Sequence, residues 1–454
     1  MKLPVMCAAL LGVATLIGTN KTLAQSMTNP SCEARSTQLL SALQKHDYSE
    51  AELNFDARMR AALPPDKLQA VWEQTLPAQF GAFKRAAEPQ PGSDNEPVVT
   101  PVQFANGWLD MRVACNTDGT LKGLFFAPGS APARASADQS SAPAQTETHF
   151  LNKALDVASP LGPLPGTLTL PKGDGPFPAV LLVAGSGPND RDETIGPNKP
   201  FLDLANGLAA HGIATFRYDK RTRVYPGKMA GKAITVDDEV TNDAVTAAAL
   251  LAQQPQIDAT HVFVLGHSLG ALMAPRIAQH DPKLTGAILM AAPVTLDLDT
   301  VLRQTRYIEH LHGATTQQLA QATAPIIAAR DALTHADPAH PPVGDFFHAP
   351  ASYWLSLRDY HPIVVAKNLP QPLLILQGER DYQVTPKHDF AQWQHAFAHD
   401  PRVTLEQFPG LSHLFMPAGN PPSPADYAKP GHVDSKVIDA IAQWITTQAH
   451  AKVN

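Results

Sequence analysis

Residues 261–270 read His261-Val262-Phe263-Val264-Leu265-Gly266-His267-Ser268-Leu269-Gly270, and a helix-like stretch from Ala271 to Gln279 follows. The apolar run predicts a buried strand, the next five residues a sharp turn, and the remainder a helix. A serine between two glycines in that setting is a nucleophile elbow, G-x-S-x-G. The glycines let strand and helix approach closely. The turn strains the serine backbone, a strain tolerated where the surrounding structure over-determines it. The helix that begins at Leu269 points its first N–H groups toward Ser268 and favours negative charge developing there.

A serine hydroxyl is a weak nucleophile and needs a base, which needs an orienting acid. Downstream of an elbow the order is acid, then histidine. The strand predicted at Pro372 to Leu376 runs into Gln377-Gly378-Glu379-Arg380-Asp381, and that predicted at Val403 to Phe408 runs into Pro409-Gly410-Leu411-Ser412-His413. Asp381 and His413 therefore sit in loops at carboxyl ends of strands, where open parallel sheets hold their ligands. Glu379, two residues from Asp381, and Asp297 and Asp299, after the strand predicted at Thr285 to Met290, are rival acids. His388, His395, His399, His432 and His450 also follow Asp381, but none ends a predicted strand.

An oxyanion needs two backbone donors. Leu269, next to the serine, supplies one. The other is expected from Ala184-Gly185-Ser186-Gly187-Pro188, after the strand predicted at Ala179 to Val183. Ser186 is the expected donor, with Gly185 and Gly187 as neighbours one residue away. The charged run Asn189 to Thr194 continues this loop and reads as a substrate contact or, in preference, an ion-pair network; Tyr218-Asp219-Lys220-Arg221 reads as its partner.

The 454 residues predict two or three domains, and 44% hydrophobic with 17% charged residues fits a globular chain with a large core. A net charge of −7 without a lysine–arginine cluster argues against nucleic-acid binding. Met1-Lys2, the apolar run Pro4 to Ile17 and Thr22-Leu23-Ala24 read as an export signal over residues 1–24, with no stable membrane insertion expected after its removal. Cleavage leaves Cys32 and Cys115, whose pairing fits an oxidising periplasmic or extracellular compartment; two separate buried thiols are the alternative. Neither cysteine has zinc spacing with histidine.

Residues 28–128 read as a small α+β domain. Its helices are expected over Ser36 to Leu63 and Pro65 to Phe83, and its strands at Val98 to Phe104, Leu109 to Ala114 and Leu121 to Phe126. Asn116-Thr117-Asp118-Gly119 predicts the last turn. Residues 129–146 are rich in Ala, Ser and Pro and predict a flexible linker. From 147 to 454 strands and helices alternate, which predicts a mostly parallel sheet covered on both faces. Residues 296–367 interrupt that alternation and read as a helical cap, with helices at Thr300 to Leu311 and, kinked or broken near Pro325, Gln317 to Leu333. Its aromatic residues, among them Tyr307, Phe346, Phe347, Tyr353 and Trp354, either shape an acyl or alcohol pocket or pack the cap.

Taken in order, Gly185 to Asp192, Tyr218 to Arg221, Gly266 to Gly270, Gly378 to Asp381 and Leu411 to Phe415 resemble the bacterial EstD-like serine esterases of the α/β-hydrolase superfamily. Residues 28–128 are similar to a domain of unknown function that precedes some of them. The resemblance covers roughly 150–450 and implies an α/β-hydrolase fold, no cofactor, and carboxylesterase activity favouring short acyl chains, with Ser268, Asp381 and His413 as triad. The chain departs from the family after Arg221, where Thr222-Arg223-Val224-Tyr225-Pro226 replaces a glycine-rich turn. A peptidase or thioesterase on the same triad, and a non-catalytic binding protein, are the alternative readings.

Overall fold

The structure, a computed structural model, describes residues 31–90, 97–105, 107–129, 150–229, 231–347 and 349–451. The expected export signal lies outside these residues, as does the expected linker apart from Gly129.

The N-terminal unit places helices before an antiparallel meander, but the long helix expected from Ser36 to Leu63 is three short ones: Cys32–Gln44, Tyr48–Glu52 and Ala57–Ala62. Local chemistry breaks it. His46 adopts a positive φ of 59°. Asp47 and Asp56 then each accept a backbone N–H three residues on, at 2.9 and 2.7 Å, and restart the chain as helix caps. The second helical stretch runs from Pro65 through a π turn to Phe80 and ends at Gly81, φ 73°, so Phe83 opens a strand rather than closing a helix. Strands β1 (Phe83–Ala86), β2 (Val98–Phe104), β3 (Gly107–Cys115) and β4 (Leu121–Gly129) pair in chain order. The helices bury Leu43, Leu68 and Trp72 against Phe104, Leu109 and Met111. A disulfide joins Cys32, at the start of the first helix, to Cys115, at the end of β3, with Cα atoms 5.9 Å apart.

The larger unit contains β5 (Phe150–Ala154), β6 (Gly166–Pro171), β7 (Phe177–Val183), β8 (Ala214–Tyr218), β9 (Ile257–His267), β10 (Gly286–Met290), the two-residue β11 (Asp345–Phe346) and β12 (Ala349–Pro350), then β13 (Leu373–Gly378) and β14 (Val403–Phe408). Eight of them form one sheet in the order β14-β13-β10-β9-β7-β8-β6-β5, with β6 antiparallel to both its neighbours and the other pairings parallel. Burial on both faces explains the continuous apolar runs. In β9, Val262 and Val264 face one core with the helices Asn242–Ala252 and Leu269–His280, while Phe263 and Leu265 face the other with Pro200–Ala210 and Ser435–Ala451.

The interruption after β10 holds Leu298–Leu311 and Thr316–Thr334, which pack on each other around Leu302, Ile326 and Leu333. The second helix continues through Pro325. Ala351–Arg358 links this cluster to the main core through Tyr353 and Leu357, and Pro362–Lys367 lies on the elbow helix. The helix Leu76–Phe80 of the small unit rests against Pro424–Ala428 of the larger one.

The Cys32–Cys115 bond closes a loop of 83 positions, and cross-links of that span stabilise by about 2–5 kcal/mol. Replacing both cysteines with serine should lower the unfolding free energy of the N-terminal unit by that much, read from denaturant curves followed by tryptophan fluorescence. An unchanged unfolding free energy would show that the bond does not hold this unit together.

Candidate active site

Neighbouring strands bring the site together. In the β7–β9 pair Val183 stands opposite Gly266, so Gly185 and Ser268, two residues further along each chain, leave the sheet side by side. Ser268 has φ 54° and ψ −114°, a left-handed conformation costing about 1–3 kcal/mol, and its N–H donates to the Met290 carbonyl at 3.0 Å. Both elbow glycines are sterically required. A Cβ on Gly266 would overlap the Gly270 backbone, and one on Gly270 would overlap the Val183 carbonyl.

Asp381 and His413 meet after β13 and β14, also paired neighbours. His413 Nδ1 lies 2.7 Å from Asp381 Oδ2. Asp381 Oδ1 accepts the N–H groups of Gln383 and Val384 at 2.8 and 2.9 Å, and the Gln377 side-chain amide donates to Oδ2 at 3.2 Å. Both residues are buried. This arrangement fixes the carboxylate, directs Nδ1 of the imidazole at it, and leaves Nε2 for other work. The rival acids are engaged elsewhere. Glu379 accepts from Gly410 N–H, Asp297 caps Leu298–Leu311, and Asp299 pairs with Arg330.

The loop after β7 is held from both sides at Gly185. Its N–H donates to Glu193 Oε1 at 2.6 Å. Its carbonyl accepts from Lys220 Nζ at 2.8 Å and from the Asn189 side chain at 3.0 Å. Gly185 is therefore not the second oxyanion donor, because its N–H is already used. The next residue, Ser186, is exposed, and Gly185 before it lies against Ser268, where an added Cβ would come within 3.2 Å of the Ser268 Cβ. Leu269 N–H belongs to the first turn of Leu269–His280, whose donors have no intrahelical partner.

The charged runs form an ion-pair network. Arg191 makes paired hydrogen bonds to Asp219 at 2.8 and 3.0 Å, and Arg217 binds Asp192 at 2.9 Å. Lys220 binds Glu239 at 2.6 Å, and Arg221 binds Asp243 at 2.9 Å. Burial pushes the Asp243 carboxyl up, against the pull of Arg221. The cap joins the network, since Tyr353 Oη donates to Glu239 Oε2 at 2.6 Å. After Arg221 the divergent segment is anchored by Tyr225, whose hydroxyl donates to the Pro163 carbonyl.

Glu193, His267, Lys220 and Glu239 were not legible as site residues. Two of them, His267 and Lys220, stood inside the recognised motifs, and Glu193 one residue past the first, but only the fold shows which atoms they grip. His267 links two loops: Nδ1 lies 2.9 Å from Glu193 and Nε2 2.9 Å from the His413 carbonyl. Tyr382 carried no sequence signal either. It is stacked between Tyr307 and Tyr427, with centroids 5.4 and 5.9 Å away, and burial pushes its hydroxyl up to about 12. Tyr353, Trp354 and Tyr307 each spend their polar atom on a protein partner: Glu239, the Phe346 carbonyl and the Pro422 carbonyl. Among the described residues no cluster of His, Cys, Asp and Glu is arranged to hold a metal, and no helix is long and apolar enough to cross a membrane.

Residues 199–417 match a family described as serine aminopeptidase, S33, and residues 36–124 match a protein of unknown function, DUF3887. Esterase EstD of Thermotoga maritima is 36% identical over 400 residues, which cover 87% of this chain and 91% of that one. Esterase FrsA of Escherichia fergusonii is 30% identical over 132 residues, 29% of each chain. Est1E from Butyrivibrio proteoclasticus, a solved structure, aligns over 65% of this chain and 99% of its own at 15% identity, with a TM-score of 0.40. The relationship to EstD runs through both units, and the chain belongs to the EstD esterases, carboxylesterases of the α/β-hydrolase fold.

Proposed function

We propose that Ser268, His413 and Asp381 are the catalytic triad and that the substrates are short-chain acyl esters. The observations that carry this reading are the buried 2.7 Å bond between His413 and Asp381 and the strained elbow conformation of Ser268. Ser268 attacks the ester carbonyl while His413 Nε2 takes its proton. The N–H groups of Leu269 and Ser186 receive the charge on the tetrahedral oxygen. His413 returns the proton to the leaving alcohol, and water then cleaves the acyl-enzyme by the same route. Asp381 holds the imidazole tautomer and stabilises its charged form. The short-chain preference rests on the resemblance to the EstD-like esterases. An oxidising location, periplasmic or extracellular, is supported by the Cys32–Cys115 bond and by the signal-like start of the sequence.

Hydrolysis of p-nitrophenyl esters from acetate to palmitate tests this reading. The protein should work best on the shortest chains, and Ser268→Ala should fall to background on all of them. Equal rates in both proteins would remove Ser268 from the mechanism, and an optimum at long chains would overturn the short-chain assignment. Aminoacyl amides, run in parallel, should be cleaved far more slowly than acetate; the reverse would make the protein an aminopeptidase.

Asp381→Asn tests the acid. The asparagine oxygen can still accept from Gln383 and Val384, but its NH₂ group then faces His413 Nδ1 and favours the wrong tautomer. The expected loss in kcat is about 10⁴-fold, with a modest loss of thermal stability because the Gln377 amide loses its acceptor at Oδ2. Retained activity would return Glu379 or another carboxylate to the role.

A further inference from the structure

The two ring nitrogens of His267 both face acceptors. Nε2 lies 2.9 Å from the carbonyl oxygen of His413, which has no proton to give, so Nε2 must carry one. Nδ1 lies 2.9 Å from Glu193 Oε1, and that bond needs a second proton. The pair thus holds one proton more than a neutral imidazole and a carboxylate would, and its natural description is an imidazolium beside a carboxylate. Glu193 and His267 are 1% and 4% exposed, so solvent does little to weaken the pairing. The same Glu193 oxygen accepts the Gly185 N–H at 2.6 Å. One continuous hydrogen-bonded chain therefore runs from the oxyanion loop through Glu193 and His267 to the backbone of the catalytic histidine. Glu193 adopts φ 52° to reach this position, a strained conformation for a residue with a side chain.

We infer that Glu193 and His267 are positioning residues that lock the oxyanion loop to the loop carrying His413, and that the lock holds only while the pair keeps its extra proton. The inference rests on the triad reading above. Glu193 from the β7 loop, Asp381 from the β13 loop and the His413 ring, 4.7 Å away, face the imidazole. Lys220, on the far side of Gly185, is neutralised by Glu239. Burial opposes protonation of His267, but Glu193 and the His413 carbonyl outweigh it and move the ring above the ordinary histidine range. A raised folded-state value means that the stabilisation is complete below about pH 6.5, the unfolded value, and is lost as pH rises through the folded one. Loss of that proton leaves a lone pair facing a lone pair at one end of the chain, so catalysis should weaken on the alkaline side.

The test uses the full chain with His267→Gln and Glu193→Gln, p-nitrophenyl acetate as substrate, and kcat and KM measured across pH. Both variants should lose about tenfold to a hundredfold in kcat, less than the ~10²–10³ that follows loss of an oxyanion donor itself, with KM nearly unchanged. The alkaline decline of the wild-type kcat should be absent from His267→Gln. In ¹⁵N-histidine-labelled wild-type protein, both ring nitrogens of residue 267 should be protonated at neutral pH. Folded variants with wild-type kcat and pH profile, or an unprotonated ring nitrogen at residue 267, would overturn the inference. If neither variant folds, the wild-type ring spectrum decides. Failure of the triad reading shows separately, as ester hydrolysis that survives Ser268→Ala.

Discussion

The close crossing of β9 and the helix after it is the constraint on which the site depends. Val183, Gly266 and Gly270 meet where no Cβ fits, and that contact forces Ser268 into a left-handed backbone conformation. The strain is local, but its support is not. The Ser268 N–H is held by the end of β10, the helix beyond it buries Leu269, Leu272 and Met273, and β7 lies alongside. The central parallel strands are rigid enough to hold such a turn, because β7, β9 and β10 are each paired on both edges.

From that crossing outward, polar groups rather than apolar packing set the geometry. Gly185 has both sides of its backbone engaged, by Glu193 on the N–H and Lys220 on the carbonyl. Each of these buried charges has a partner, His267 and Glu239. Removing one member of such a pair leaves an uncompensated buried charge, at a cost of about 3–5 kcal/mol. The network reaches the cap through Tyr353 and the backbone of His413 through His267. The loop after β7, the cap and the loop carrying His413 are thus positioned by one set of buried hydrogen bonds, the rigidity that the proposed oxyanion chemistry needs.

Several elements escaped the sequence for physical reasons. β5 is an exposed edge strand whose residues, Phe150-Leu-Asn-Lys-Ala, show no buried alternation. β6 does alternate, with Leu168 and Leu170 buried in Gly166-Thr-Leu-Thr-Leu-Pro, and a period of two was there to be read. The long first helix failed because Asp47 and Asp56 have two local options, helix interior or cap, and propensity does not choose between them.

The sequence by itself determined the alternation of strands and helices from β7 onward, the elbow, and the two loops that carry Asp381 and His413. These are local signals: apolar runs, glycines at a turn, and functional residues at strand ends. Only the tertiary structure decided that the Gly185 N–H is spent on Glu193, that His267 is bound at both nitrogens, and that Tyr382 is enclosed by two other rings. Those facts depend on which strands are neighbours, and strand order places Gly185 beside Ser268 and His413 beside His267 across separations of more than 80 residues. A hydrogen-bond donor has no assigned acceptor until the fold brings one within 3 Å, so the composition of a motif cannot reveal which of its residues react and which hold the others still.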